Sequence, residues 1–169
     1  MRVREAHESE LDQLAVLWYD AWQDGHADIV PVELKRDRTV ESLKERMRAS
    51  LPDVRVVGPI GKPLGFCTVR GDELYQLFVS AEGRGTGVAA ALTADAEARL
   101  LESGVKTAWL ACAIGNERAA RFYEKSGWRR VGTMVSELQT AEGPFPLKVW
   151  RYEKDLGAPP EPVAGPAGL

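Results

Sequence analysis

Glycine stands at positions 83, 85 and 87 in the stretch SAEGRGTGVAAAL, residues 80–92, directly before a run of helix formers. Glycines let a backbone approach an anion closely, and the amides that open the following helix point toward it, with the helix dipole adding about half a positive charge. Arg84 adds a full one. The chemistry this spelling allows is the holding of a phosphate, and Gly85-Thr86-Gly87-Val88-Ala89-Ala90 fits the dinucleotide fingerprint G-x-G-x-x-A. The alternative is a helix cap whose glycines serve only a turn. Further on, Asn116 and Tyr123 stand seven residues apart. On a helix that is two turns, which puts an amide and a phenol on one face about 10 Å apart along the axis.

The elements that position these residues follow from periodicity. Arg2 to Glu5 reads as a short strand, and Ser9 caps a helix in which Leu11, Leu14, Ala15, Leu17, Trp18 and Trp22 recur at helical spacing until Gly25. HADIVPVELKRD is irregular, and a second helix runs from Thr39 to Ser50 with Val40, Leu43 and Met47 spaced for burial. After Pro52 the period changes from 3.6 to 2, and DVRVVG, PLGFCTVRG and ELYQLFV read as an antiparallel meander. The glycine loop follows. Val88, Ala91, Leu92, Ala96 and Leu100 then line a helix that stops at Gly104. VKTAWLACA is a strand, Asn116 caps ERAARFYEKS, and WRRVGTMVSEL and PLKVWRYEKDL flank a turn at Glu142-Gly143-Pro144. The chain is thus mixed α/β, with six to seven strands, four helices and one βαβ crossover, right-handed by rule, that leaves the glycine loop at the end of its first strand.

That context rejects the dinucleotide spelling. The fingerprint belongs straight after the first strand of a doubly wound sheet, with an acidic residue about 20 positions on. Here Ser80 to Gly83 intervene, and the next strand ends in Ala113-Ile114-Gly115-Asn116 without a carboxylate. A Walker loop needs G-K-[ST], which the loop lacks.

Composition sets the remaining bounds. The chain has 169 residues, 44% of them hydrophobic, enough for one domain with its own core. GAPPEPVAGPAGL, residues 157–169, is rich in Pro, Gly and Ala and reads as a disordered tail, leaving residues 1–156 as a single domain. With 22 basic and 25 acidic residues interspersed, the net charge of −3 argues against nucleic acid as a partner. The N-terminus lacks an apolar signal segment, and no window approaches the ~18 apolar residues of a membrane span, so a cytoplasmic protein is expected. Cys67 and Cys112 each lie in an apolar run and read as reduced core residues.

Two signatures together resemble the GCN5-related N-acetyltransferase (GNAT) family. Arg84-Gly85-Thr86-Gly87-Val88-Ala89 is similar to its R/Q-x-x-G-x-G/A loop, with alanine in the last position. Asn116-x-x-Ala119-x-x-Phe122-Tyr123-Glu124-Lys125-x-Gly127-Trp128 is similar to its second signature. The resemblance covers Met1 to Leu156. It implies a GNAT-like acyl-CoA N-acyltransferase fold, a mostly antiparallel sheet that splays between its two parallel strands, and acetyl-CoA as co-substrate with no metal. By the same resemblance, amides of Gly85, Thr86, Gly87, Val88, Ala89 and Ala90 hold the pyrophosphate. The pantetheine arm lies along Leu77, Phe78 and Val79 like an added strand, and Asn116 and Ala119 flank it.

Acetyl transfer needs a neutral amine, a polarised thioester carbonyl and a proton for the departing thiolate. An aliphatic amine with a pKa of ~10.4 is about one part in a thousand neutral near pH 7, so a base helps. The resemblance gives Tyr123 the role of general acid and makes Glu73, which opens ELYQLFV, a candidate base acting directly or through water. A backbone N–H near Leu77 polarises the carbonyl if that strand is bulged. Each has a plainer alternative: Tyr123 a core aromatic beside Phe122, Asn116 a helix cap, Glu73 a solvated strand end. Cys112 as a covalent intermediate has no histidine near it in sequence, so direct transfer is expected.

The acceptor is a small-molecule or peptide amine of unidentified structure. By resemblance Trp22, His26, Asp28, Ile29 and Val30 line its cleft, and Asp20, Asp24, Asp28 and Glu33 favour a cationic amine. Other classes stay open: an acyl-CoA sensor without catalysis, a transferase for longer acyl groups and, remotely, a dinucleotide-dependent oxidoreductase. A homodimer is also open.

Overall fold

A computed structural model of the chain describes residues 1–157, so the tail from residue 158 onward lies outside the described residues. β1 (Val3–Glu5) leads through a 3₁₀ turn at Glu8–Glu10 into α1 (Leu11–His26). The cap is not Ser9. The His7 side chain accepts from the Ser9 amide at 3.1 Å and the Glu10 carboxylate from the His7 amide at 2.9 Å, a reciprocal cap that begins one turn earlier and leaves Ser9 inside the turn.

The stretch expected to be irregular contains a fifth helix, α2 (Val32–Asp37). Pro31 pre-sets its entry, and fully buried Leu34 holds it to the core. Six residues are too few for a helical period to show in sequence. α3 (Val40–Ser50) follows, capped by Thr39.

The meander is β2 (Arg55–Val57), β3 (Gly65–Arg70) and β4 (Glu73–Val79), succeeded by α4 (Val88–Glu102), β5 (Thr107–Ala113) and α5 (Glu117–Lys125). β6 (Arg129–Thr140) and β7 (Gly143–Asp155) form a long hairpin. Its strands start closer to the turn than expected, so Pro144 and Pro146 lie within β7. They are tolerated because β5 pairs with β7 only as far as Val149, which leaves that side of the hairpin end without a ladder.

The seven strands run β1-β2-β3-β4-β5-β7-β6, and every neighbouring pair is antiparallel except β4 and β5. One face buries Leu92 and Leu100 of α4 against Cys67, Leu74, Leu110 and Tyr152. The other buries Leu14, Trp18, Leu34, Leu43 and Met47 of α1–α3 against Val56 and Phe66. Each such apolar side chain stabilises the fold by roughly 1.5–3 kcal/mol relative to exposure, which fixes both faces of the central strands and the helices over them. No helix among the described residues is long and apolar enough to cross a membrane.

Candidate active site

β4 and β5 start side by side and then part. Their only strand pairing is Glu73 with Trp109, reinforced by the Trp109 amide donating to the Asp72 carbonyl at 3.1 Å. Beyond it opens a cavity of about 400 Å³, walled by β4 from Leu74 to Val79 and by Ala111 to Ala113 of β5. The glycine loop and Val88 to Ala90 close one end, and Asn116, Ala119 and Tyr123 of α5 lie along it.

The loop end presents a cluster of free backbone donors. Gly87 caps α4 with φ +92, a left-handed conformation that side chains disfavour, and Gly85 has φ +74 with open space where a side chain would begin. The amides of Gly85, Gly87, Val88, Ala89 and Ala90 make no backbone hydrogen bond among the described residues. Four of these open a 15-residue helix, so unspent donors and dipole converge. A pyrophosphate fits this donor set. Arg84 also stands at the cavity, with its guanidinium held 2.7 Å from Asp24 of α1.

The last turn of α1 spans the opening from the other side. Next to Asp24, Gly25 touches Asn116: a Cβ there would lie 3.1 Å from the Asn116 side-chain nitrogen. Asn116 caps α5, its Oδ1 accepting from the Ala119 amide at 3.4 Å. Tyr123 packs in an aromatic group with Phe122, Trp128 and Tyr152, at centroid distances of 5.6, 6.4 and 6.0 Å. Burial raises its phenol pKa, so the hydroxyl keeps its proton at neutral pH. Cys112 lies in the same wall, and burial pushes its thiol up to about 12, too high for a resting thiolate nucleophile.

β4 is bulged. Thr68 pairs with Gln76 and Val69 with Leu74, so Tyr75 is an extra residue, two positions before Leu77. The extra residue puts Leu74 and Leu77 on the α4 face together, whereas Glu73 and Phe78 belong to the α1 face. Glu73 is buried, and desolvation pushes its carboxyl up to about 7 despite Arg70 at 3.7 Å. It does not itself line the cavity but sits at the closed end of the split, one residue before the lining begins.

The residues expected at the acceptor side separate. Trp22 is 5% exposed and belongs to the core under α1, and Asp28 is exposed away from the cavity. His26 does line it, stacked on Trp22 with centroids 5.1 Å apart. Its Nδ1 lies 3.1 Å from the Trp22 carbonyl, which can only accept; Nδ1 therefore carries the hydrogen and Nε2 the lone pair. Burial lowers the pKa of this ring, as does the positive charge of Arg38. Ile29 packs over Gly115 instead. Sequence reading missed Gly25, Tyr75, Gln76 and Ala111 as wall residues, and only the isolated Gly25 near a helix end gave any signal.

This geometry, parallel strands parted over an amide cradle, agrees with comparisons to known proteins. Residues 11–128 match the family model described as "Acetyltransferase (GNAT) family". An uncharacterized N-acetyltransferase of Mycobacterium tuberculosis is 34% identical over 119 residues, 66% of this chain and 72% of that protein. The peptidyl-lysine N-acetyltransferase YjaB of Escherichia coli is 27% identical over 150 residues, 86% and 92% of the two chains. The PaiA N-acetyltransferase of Thermoplasma acidophilum, solved in complex with coenzyme A, superposes with a TM-score of 0.63 at 18% identity, covering 91% of this chain and 98% of that one. Loop, split sheet and sequence agree, and the chain belongs to the GNAT family of N-acetyltransferases.

Proposed function

We propose that this acyltransferase moves the acetyl group of acetyl-CoA directly to a primary amine, with Tyr123 as general acid and Glu73 as base. The observation that carries the reading is the continuity of one cavity from the amide cradle at Gly85–Ala90 to Tyr123, along the gap between β4 and β5. When bound, acetyl-CoA supplies the thioester whose acyl carbon receives the amine lone pair and whose sulfur leaves.

The chain's own groups do the rest. Unspent amides at the start of α4 hold the pyrophosphate, and the unpaired edge of β4 along Leu77 to Val79 takes the pantetheine arm as an added strand. The bulge at Tyr75 frees backbone from the regular ladder beside Leu77, where an N–H can polarise the acyl oxygen. Tyr123 holds its proton for the departing sulfur. Burial weakens the phenol as an acid, but the same dry surroundings raise the basicity of a thiolate formed beside it, which keeps the transfer matched. Glu73, with a pKa of about 7, is half ionised at neutral pH and takes up the amine proton through water. Direct transfer is favoured because the Cys112 thiol stays protonated.

The test is thiol release from acetyl-CoA in the presence of a panel of amines, amino acids and peptides, with calorimetric titration of acetyl-CoA and NAD. Acetyl-CoA is expected to bind and at least one amine to be acetylated. Binding of NAD alone, or acetyl-CoA binding with no acceptor across the panel, overturns the reading.

A further inference from the structure

Two guanidiniums lie near one another between the end of α2 and α3, outside the set of residues that line the cavity. Arg38 is 5% exposed and spends only Nη1 on the protein, donating to Asp37 Oδ2 at 2.9 Å and to the Gln139 carbonyl at 2.8 Å. Its Nε and Nη2 make no hydrogen bond among the described residues. These two groups form the edge that grips a carboxylate with two parallel N–H bonds. Arg46 lies with its guanidinium carbon 5.6 Å from the centre of the Trp18 ring, and its Nη1 is buried with no partner.

The charges do not balance. After burial, the cation of Arg46 is the next largest influence on Arg38, whose pKa falls to about 10. Among the described residues Asp37 is the only carboxylate acting on Arg38, and its other oxygen already accepts from the Ala141 amide at 2.7 Å. Arg38 therefore has a second cation near it and one carboxylate against it. The buried, unpaired Nη1 of Arg46 is costly, and a second carboxylate relieves it.

The location ties this deficit to the reaction. Arg46 lies on Trp18, whose ring centre is 6.1 Å from that of Phe78, and the Arg38 charge reaches His26; Phe78 and His26 both line the cavity. By contrast, the acids that suggested a cationic acceptor face elsewhere. Asp20, Asp28 and Glu33 are exposed outside the cavity, and Asp24 is taken by Arg84.

We propose, resting on the acetyl-transfer reading above, that the acceptor is a small amine that also carries a carboxylate, and that Arg38 and Arg46 hold that carboxylate beside the cavity. The pair then does two things at once. It orients the acceptor through a bidentate contact, and its positive field, next to a neutral His26, disfavours the ammonium form and so favours the nucleophile.

The experiment compares each of the common L-amino acids with its own α-carboxamide in the thiol-release assay. For accepted side chains the acid is expected to exceed the amide by about 10- to 100-fold in kcat/KM, the range of a charge-assisted hydrogen-bonded contact. Arg38→Gln and, separately, Arg46→Gln should collapse that ratio toward one while acetyl-CoA affinity by calorimetry stays unchanged. The wild-type comparison stands even if one variant folds poorly. Amides accepted as well as acids, or acetylation of simple amines with neither series accepted, overturns the proposal while leaving the acetyltransferase reading intact. Failure to bind acetyl-CoA, in contrast, overturns that reading.

Discussion

Glu73→Gln removes a single titrating group whose environment in the fold is unusual. The folded-state carboxyl titrates at about 7, against an ordinary value of 4.5, because burial at the closed end of the split outweighs the attraction of Arg70 and Arg151. The folded protein therefore holds this proton more tightly than the unfolded chain does. The stability it contributes is fully present below pH 4.5 and is lost as the pH rises through 7. The distance between the two values corresponds to about 3 kcal/mol, an upper figure that solvent relaxation reduces toward about 2. Glutamine keeps the shape and does not titrate. Urea unfolding of both proteins at pH 4 and pH 8 should show the stability of Glu73→Gln, relative to the native chain, rising by about 2 to 3 kcal/mol between the two conditions. Titrations elsewhere cancel in that difference. A flat difference, or one that falls with pH, would show that Arg70 fixes an ionised carboxylate and would refute the desolvation reasoning. If Glu73 is also the base, kcat/KM should rise with pH to a plateau above about 7 in the native protein, and that limb should vanish in the variant.

Three further outcomes test other parts of the site. Tyr123→Phe should lower kcat by about 100-fold with acetyl-CoA affinity nearly unchanged, and undiminished turnover would remove the proposed acid. Asp24→Asn releases Arg84 from its 2.7 Å ion pair toward the bound pyrophosphate, so the KM for acetyl-CoA should fall by about two- to fivefold; a rise would mean that the pair orients Arg84 productively. Gly87→Glu forces a side chain onto φ +92 and sets a carboxylate among the cradle amides, so calorimetry should detect no acetyl-CoA binding; retained affinity would locate the coenzyme elsewhere.

The meander, α4, α5 and the loop between β4 and α4 were legible in sequence because each carries a local signal: period two, period 3.6, or glycine before a helix. α2 was not, since six residues anchored by one buried leucine and a proline lack a period. The Arg38 bond to the Gln139 carbonyl joins positions 101 apart, and no local pattern encodes such a contact. The tryptophans of α1 were readable as a buried stripe, but which ring meets the cavity depends on how that helix ends. There His26 bonds back to the Trp22 carbonyl and takes the position at the wall. Likewise Ser9 matched the spelling of a cap, and His7 with Glu10 assumed that role because their side chains reach both orphaned amides.

The extra residue at Tyr75 makes β4 one longer than the stretch of β3 it opposes. Deleting it would set Gln76 beside Thr68 and Leu74 beside Val69 in an unbroken ladder, with Glu73 and Leu74 still on the faces they now hold. One codon lost here thus straightens the strand without moving any residue to the other side of the sheet. Ungapped matching of this strand to a relative without the insertion would pair Glu73 with a residue of the opposite face, which makes strand parity a better guide than letter identity to which carboxylates correspond.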